Sequence, residues 1–116
     1  MGKQILSESA VKSLHEAPVD RHMGPMNTQF TQGGVARFAP TASGVSGMEK
    51  GINNGREGFY GWFGLGGSIF QWHPEYQIGF AFVPTSLHVL DLVNERGKVL
   101  QTEVLRIVEA QQARRF

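Results

Sequence analysis

The most regular hydrophobic pattern in the chain lies between residues 59 and 83. There Ile78, Phe80 and Phe82 alternate with Gly79, Ala81 and Val83, the period of two expected of a strand with one bulky and one small face. Two strand-like runs precede it, FYGWF over 59–63 and SIFQW over 68–72, both rich in residues that suit a pleated surface. His73, Pro74, Glu75, Tyr76 and Gln77 supply a turn before the third run, and Pro74, which has no N–H, halts the ladder there. The small residues of 78–83 leave room for a helix close to the sheet. A candidate follows over 87–112: Val93, Gly97, Leu100, Val104 and Ile107 recur at spacings of three and four, with Glu95, Lys98, Glu103 and Arg106 mostly outward. Gly97 costs such a helix about 1 kcal/mol relative to alanine, so it marks either close packing or a break.

The N-terminal half is less patterned. Ile5, Leu6, Val11 and Leu14 are its apolar positions, and a helix is predicted over 8–16 with Ser7 as N-cap and Pro18 as terminator. Residues 19–55 are rich in Gly, Pro, Met, Ser, Thr and Asn without a sustained period, which predicts a loop-rich segment holding one short strand near 35–38. The expected fold is α+β: a three-stranded antiparallel sheet packed by a long C-terminal helix. One domain over 1–116 is expected, divided into a helix (1–18), loops (19–55), strands (56–84) and the final helix (85–116).

Composition narrows the function. A chain of 116 residues builds a modest core, and 11 Lys and Arg scattered among 10 Asp and Glu form no basic stripe. No nucleic-acid partner is expected. No apolar run approaches a membrane span or a signal peptide, so a soluble domain without a membrane partner is expected, in a compartment left open. The absence of cysteine excludes disulfides and thiol nucleophiles. His15, His22, His73 and His88 show no ligand spacing, so no metal is expected, and His73 beside Pro74 reads as a turn residue. The glycine run lacks the Gly-Lys-Ser/Thr of a phosphate loop, and no Gly-x-Ser-x-Gly elbow occurs. No cofactor is expected. The strand aromatics read as core, since the basic residues of a single-strand-binding platform are missing.

The segment 58–84, GFYGWFGLGGSIFQWHPEYQIGFAFVP, followed by an amphipathic helix, resembles the C-terminal end of serine β-lactamase-related proteins, the class C-like group that includes penicillin-binding-protein-like esterases. ILSESAVKSL and FTQGGVARF resemble the helix and glycine-rich segment before this end in animal members, so the likeness runs from about Ile5 to Val108. The resemblance implies the C-terminal part of the β-lactamase/transpeptidase-like fold. It implies acyl transfer from a small ester or amide substrate to water through a serine acyl-enzyme.

Of the three family motifs, the Lys-Thr-Gly type, often His-x-Gly or Trp-x-Gly in esterases, falls on Trp62, Phe63 and Gly64. The next residue, Leu65, would donate its backbone N–H to the oxyanion hole, and losing such a donor costs about 2.7–4 kcal/mol. Neither Tyr60 nor Tyr76 begins a Tyr-x-Asn. The one Ser-x-x-Lys is Ser9-Ala10-Val11-Lys12, whose Ser9 and Lys12 would share a helix face. The family nucleophile lies far upstream of the final hairpin, however, and this segment matches a family helix without a catalytic role. The expectation is a truncated hydrolase domain, inactive alone for lack of its nucleophile. The alternative is a non-catalytic binding module that self-associates, as a homo-oligomer, through an open sheet edge.

Overall fold

The computed structural model describes residues 5–23, 26–39 and 47–115. In chain order the elements are α1 (Glu8–His15), β1 (Val19–Met23), β2 (Met26–Phe30), β3 (Ala36–Arg37), α2 (Gly47–Asn53), β4 (Tyr60–Phe63), β5 (Ile69–His73), β6 (Ile78–Phe82) and α3 (Glu95–Arg114). The fold is α+β. Among the described residues its sheet has six strands in the order β1-β2-β3-β4-β5-β6, each antiparallel to its sequence neighbour.

Six strands correct the expected three. The short strand expected near 35–38 is β3, and the other additional strands, the β1–β2 hairpin, lie with α2 in the same stretch expected to be loop-rich; its residues 24, 25 and 40–46 lie outside the described residues. The hairpin VDRHM–MNTQF pairs Val19 with Phe30 through Met23 with Met26. It escapes a hydrophobic-period search because its sequence alternates weakly and its ladder is made of main-chain hydrogen bonds. The three later strands fall where the pattern put them, to within a residue at each end.

Local chemistry sets the helix ends. The Ser7 hydroxyl caps α1 by accepting from the Ala10 N–H at 3.2 Å. Beyond α1 the chain turns away: Glu16 is extended and Ala17 has φ +50°. The end of α1 is held to the sheet by Thr31, whose hydroxyl donates to the Leu14 carbonyl at 2.6 Å, and by Gln32 N–H, which donates to the Glu16 carbonyl at 2.8 Å.

The expected start of the long helix at 87 moves to Glu95. Residues 87–94 form turns instead, and the Asp91 carboxylate accepts from the Glu95 and Arg96 N–H groups at 2.7 and 3.3 Å. Asn94 breaks any earlier helix with φ +55°. Burial alone would push the Asp91 carboxyl up, but those two donors and the Arg96 guanidinium hold it below its ordinary value.

Of the expected stripe, Val93, Gly97 and Val104 do face inward, but the packed face is turned away from Leu100 and Ile107, and the helix lies on a different side of the sheet than expected. Gly97 and Gln101 are its buried residues, with Val104, Leu105 and Val108 against the core, whereas Leu100 and Ile107 are exposed. It lies over the bulky face: a Cβ at Gly97 would sit 2.5 Å from Ile69 Cδ1 and 3.0 Å from the Phe82 ring. The close approach is made by the helix glycine, and Gly79 and Ala81 are left exposed. The core proper is Ala36, Phe38, Ile52, Phe59 and Ile78. Among the described residues no helix is long and apolar enough to cross a membrane.

Candidate functional site

The segment singled out in the sequence sits on the β4–β5 hairpin. Trp62 pairs with Phe70 and Phe63 with Ile69, and the turn closes with the Gly64 N–H donating to the Ser68 carbonyl at 2.8 Å. Gly66 and Gly67 have φ of +99° and +120°, backbone that other residues rarely adopt. Leu65 stands in the turn, 75 % exposed. Phe63 turns inward: its ring packs 5.9 Å from that of Phe38, and the Arg56 guanidinium lies 5.7 Å from its centroid.

Two residues that sequence reasoning passed over hold this turn. The Asn94 amide donates to the Gly64 and Ser68 carbonyls at 3.1 and 2.8 Å, across both sides of the turn. Arg96 donates to the Gly66 carbonyl at 2.8 Å and to the Ser86 carbonyl at 3.0 Å, with its guanidinium 3.7 Å from the Asp91 carboxylate. The His88 N–H donates to Gly66 as well. Both side chains come from the start of α3, and nothing in their spacing signals a clamp on a hairpin thirty residues earlier.

Behind the hairpin runs a buried polar relay. Arg56 is fully buried, and it donates to the Ile52, Val93 and Asn94 carbonyls at 2.8, 2.9 and 3.3 Å and to the Gln101 amide oxygen at 3.2 Å. Gln101 donates to Gln71 at 2.6 Å, and Gln71 to the Trp62 carbonyl at 3.4 Å. Desolvation lowers the Arg56 pKa to about 10, with Glu95 and Asp91 opposing the shift. The relay binds α2, α3 and the hairpin into one unit, and its members are partnered inward.

The other candidate pair is not assembled. Ser9 and Lys12 lie on the exposed α1: the Ser9 hydroxyl is 3.2 Å from that of Ser7, and the Lys12 ammonium is 3.5 Å from Glu16. His73, read as a turn residue, is instead the buried last residue of β5. Its Nδ1 accepts from the Tyr76 N–H at 3.3 Å, and its ring meets Phe59 edge-on at 5.0 Å. Burial holds the His73 imidazole below its ordinary pKa against the pull of Glu75, the Glu57 backbone and Glu109. Among the described residues no three His, Asp or Glu side chains gather as metal ligands, and the His22 side chain lies outside them.

The sheet face away from α3 carries a groove of about 390 Å³. Phe30, Val35, Trp62, Phe70 and Trp72 form its walls, with the glycines 34 and 61 and Ala36 between them. α1 docks at one end through His15. The His15 Nδ1 lies 2.8 Å from the Val11 carbonyl and so carries the proton, which leaves Nε2 to accept from the Trp72 indole N–H at 2.7 Å. Its ring stands edge-on to Tyr60 at 4.6 Å. Trp62 is thus the expected cleft residue that also lines a concavity. Its neighbours there come from β5, β2 and β3; of these the sequence pattern did not reveal β2, and Gly61, a glycine inside a strand, was the one local hint.

No known family, curated protein or solved structure matches this chain.

Proposed function

We propose that this chain forms the sheet and final-helix part of a serine β-lactamase-like hydrolase domain, which transfers the acyl group of an ester or amide to water, and that it is inactive alone. The observation that carries the proposal is the clamped turn directly after Trp62, Phe63 and Gly64. A backbone donor at Leu65 stabilises developing negative charge only if it is fixed beforehand, and Asn94 and Arg96 supply that fixity. Trp62 and Gly64 would shape the adjoining cleft. In this reading the nucleophile comes from elsewhere, in keeping with a Lys12 ammonium that pairs with Glu16 on the exposed α1.

Among the described residues, two exposed surfaces suit the docking of the segment that would bear it. One is the outer edge of β6, an end strand of the sheet; the other is the exposed apolar pair Val99 and Leu100 of α3. A fluorophosphonate probe followed by intact mass tests the proposal, with Ser9→Ala in parallel. No adduct is expected on either chain. A stoichiometric adduct lost in Ser9→Ala would establish Ser9 as a nucleophile and overturn it.

The same β6 edge favours a second function, self-association by strand pairing. Sedimentation velocity over a concentration series would then show a growing dimer, abolished by Ala81→Pro on the edge strand. A monomer at every concentration eliminates this alternative.

A further inference from the structure

We infer that the groove on the α1 side of the sheet is a binding site for a flat, uncharged aromatic group of one or two rings. The part of the inference that names such a group as a piece of the ester or amide substrate rests on the hydrolase proposal; the binding itself does not.

The chemistry of the lining selects the ligand. The eight described lining residues are apolar, so none of them holds a counter-charge for a charged group. The one lining side chain with a hydrogen-bond donor held by a partner is Trp72, whose indole N–H is already given to His15. Beside the Trp62 indole N–H, what the site offers is the edges and open faces of rings, the Trp62 ring being stacked on Phe63 at 5.2 Å. Phe30 and Trp62 lie 5.7 Å apart and tilted by 30°, and Phe70 meets Trp72 edge-on at 5.9 Å. Aromatic ligands gain from such offset and edge-on arrangements beyond the area they bury.

The backbone keeps the groove open. Gly61 has φ +127°, and a Cβ there would run into the carbonyl of Phe70, so its floor position stays bare. At Gly34 a Cβ would meet nothing within 4 Å, yet φ +81° favours glycine, which leaves the rim without a side chain.

Size suits a small occupant. The volume of about 390 Å³ falls in the range of small-molecule sites, about 300–1,000 Å³. One turn of helix, about 10 Å across and 5.4 Å long, would alone fill roughly 420 Å³. Phe70, 68 % exposed, and Trp62, 37 % exposed, are apolar rings left in water that a ring-sized ligand would cover.

Fluorescence titration with the neutral probe N-phenyl-1-naphthylamine, excited through Trp62 and Trp72, reads occupancy directly. Saturable 1:1 binding is expected. Phe70→Ala, which leaves the core untouched, should weaken it about tenfold or more. Ile107→Ser, at an exposed apolar position on α3, should leave it unchanged. Neutral 2-naphthol should displace the probe at concentrations at least about tenfold below those of naphthalene-1-sulfonate.

Non-saturable binding, full retention in Phe70→Ala, or equal loss in Ile107→Ser would overturn the inference. So would a wild-type dimer that Phe70→Lys converts to monomer, because the groove would then be filled by a second copy. Since the probe needs no nucleophile, its binding stands or falls separately from acyl transfer.

Discussion

Strand β5 shows its two faces in one five-residue run. Toward α3 it buries Ile69, Gln71 and His73; toward the groove it presents Phe70, 68 % exposed, and the half-buried Trp72. In an antiparallel sheet with one solvated face the usual alternation is apolar inward and polar outward. Here two of the three inward residues are polar and the outward ones are aromatic. The inward polar groups are fully engaged, through the relay that joins Arg56, Gln101 and Gln71 and through the packing of His73, so they specify how α2 and α3 seat on the sheet. The outward aromatics have no such engagement beyond one another and His15. Buried polar groups and exposed apolar ones are the two observations that carry information beyond ordinary packing. In this molecule the first explains stability and the second points to binding.

The largest effect is expected where the relay is cut. Arg56→Met leaves the Ile52, Val93 and Asn94 carbonyls and the Gln101 oxygen buried without their donor, and should cost about 3–5 kcal/mol in urea unfolding. Asn94→Ala removes both bonds across the hairpin turn and should cost about 1–3 kcal/mol. Gly97→Ala improves helix propensity, yet its Cβ would press on Ile69 and Phe82. A net loss of about 1–2 kcal/mol is expected, opposite in sign to the propensity gain.

His73 adds a pH dependence to the closed face. Its native pKa is held below the unfolded 6.5, so the unfolded chain binds the proton more readily. Stability should therefore be full above about pH 6.5 and decline as the pH falls from there through the lower native value. Urea midpoints across this window should lose that slope in His73→Phe. The smallest effect on stability is expected on the open face: Phe70→Ser should stay within about 0.5 kcal/mol of the parent while abolishing probe binding.

The legible part of the fold was the part whose apolar residues obey a period. Ile78, Phe80 and Phe82 announced β6, and the runs before them announced β4 and β5. The β1–β2 hairpin was illegible because Asp20, Asn27, Thr28 and Gln29 carry no apolar alternation. The rotation of α3 was misjudged for a related reason. Gln101 occupies an inward position that a hydrophobic pattern reserves for an apolar residue, so the stripe through Leu100 and Ile107 looked like the buried one. At the candidate site, Trp62, Gly64 and Leu65 were named through the family resemblance, whereas the Asn94–Arg96 clamp and the groove partners Phe30 and Val35 come from strand pairing and helix docking over long separations. Such contacts leave no periodic trace.

Amide hydrogen exchange with and without N-phenyl-1-naphthylamine tests the contrast between the two faces most directly. The account predicts added protection in β4 and β5, over 60–63 and 69–73, with α3 unchanged. Protection appearing in α3 or at the β6 edge, with β4 and β5 unaltered, would contradict it.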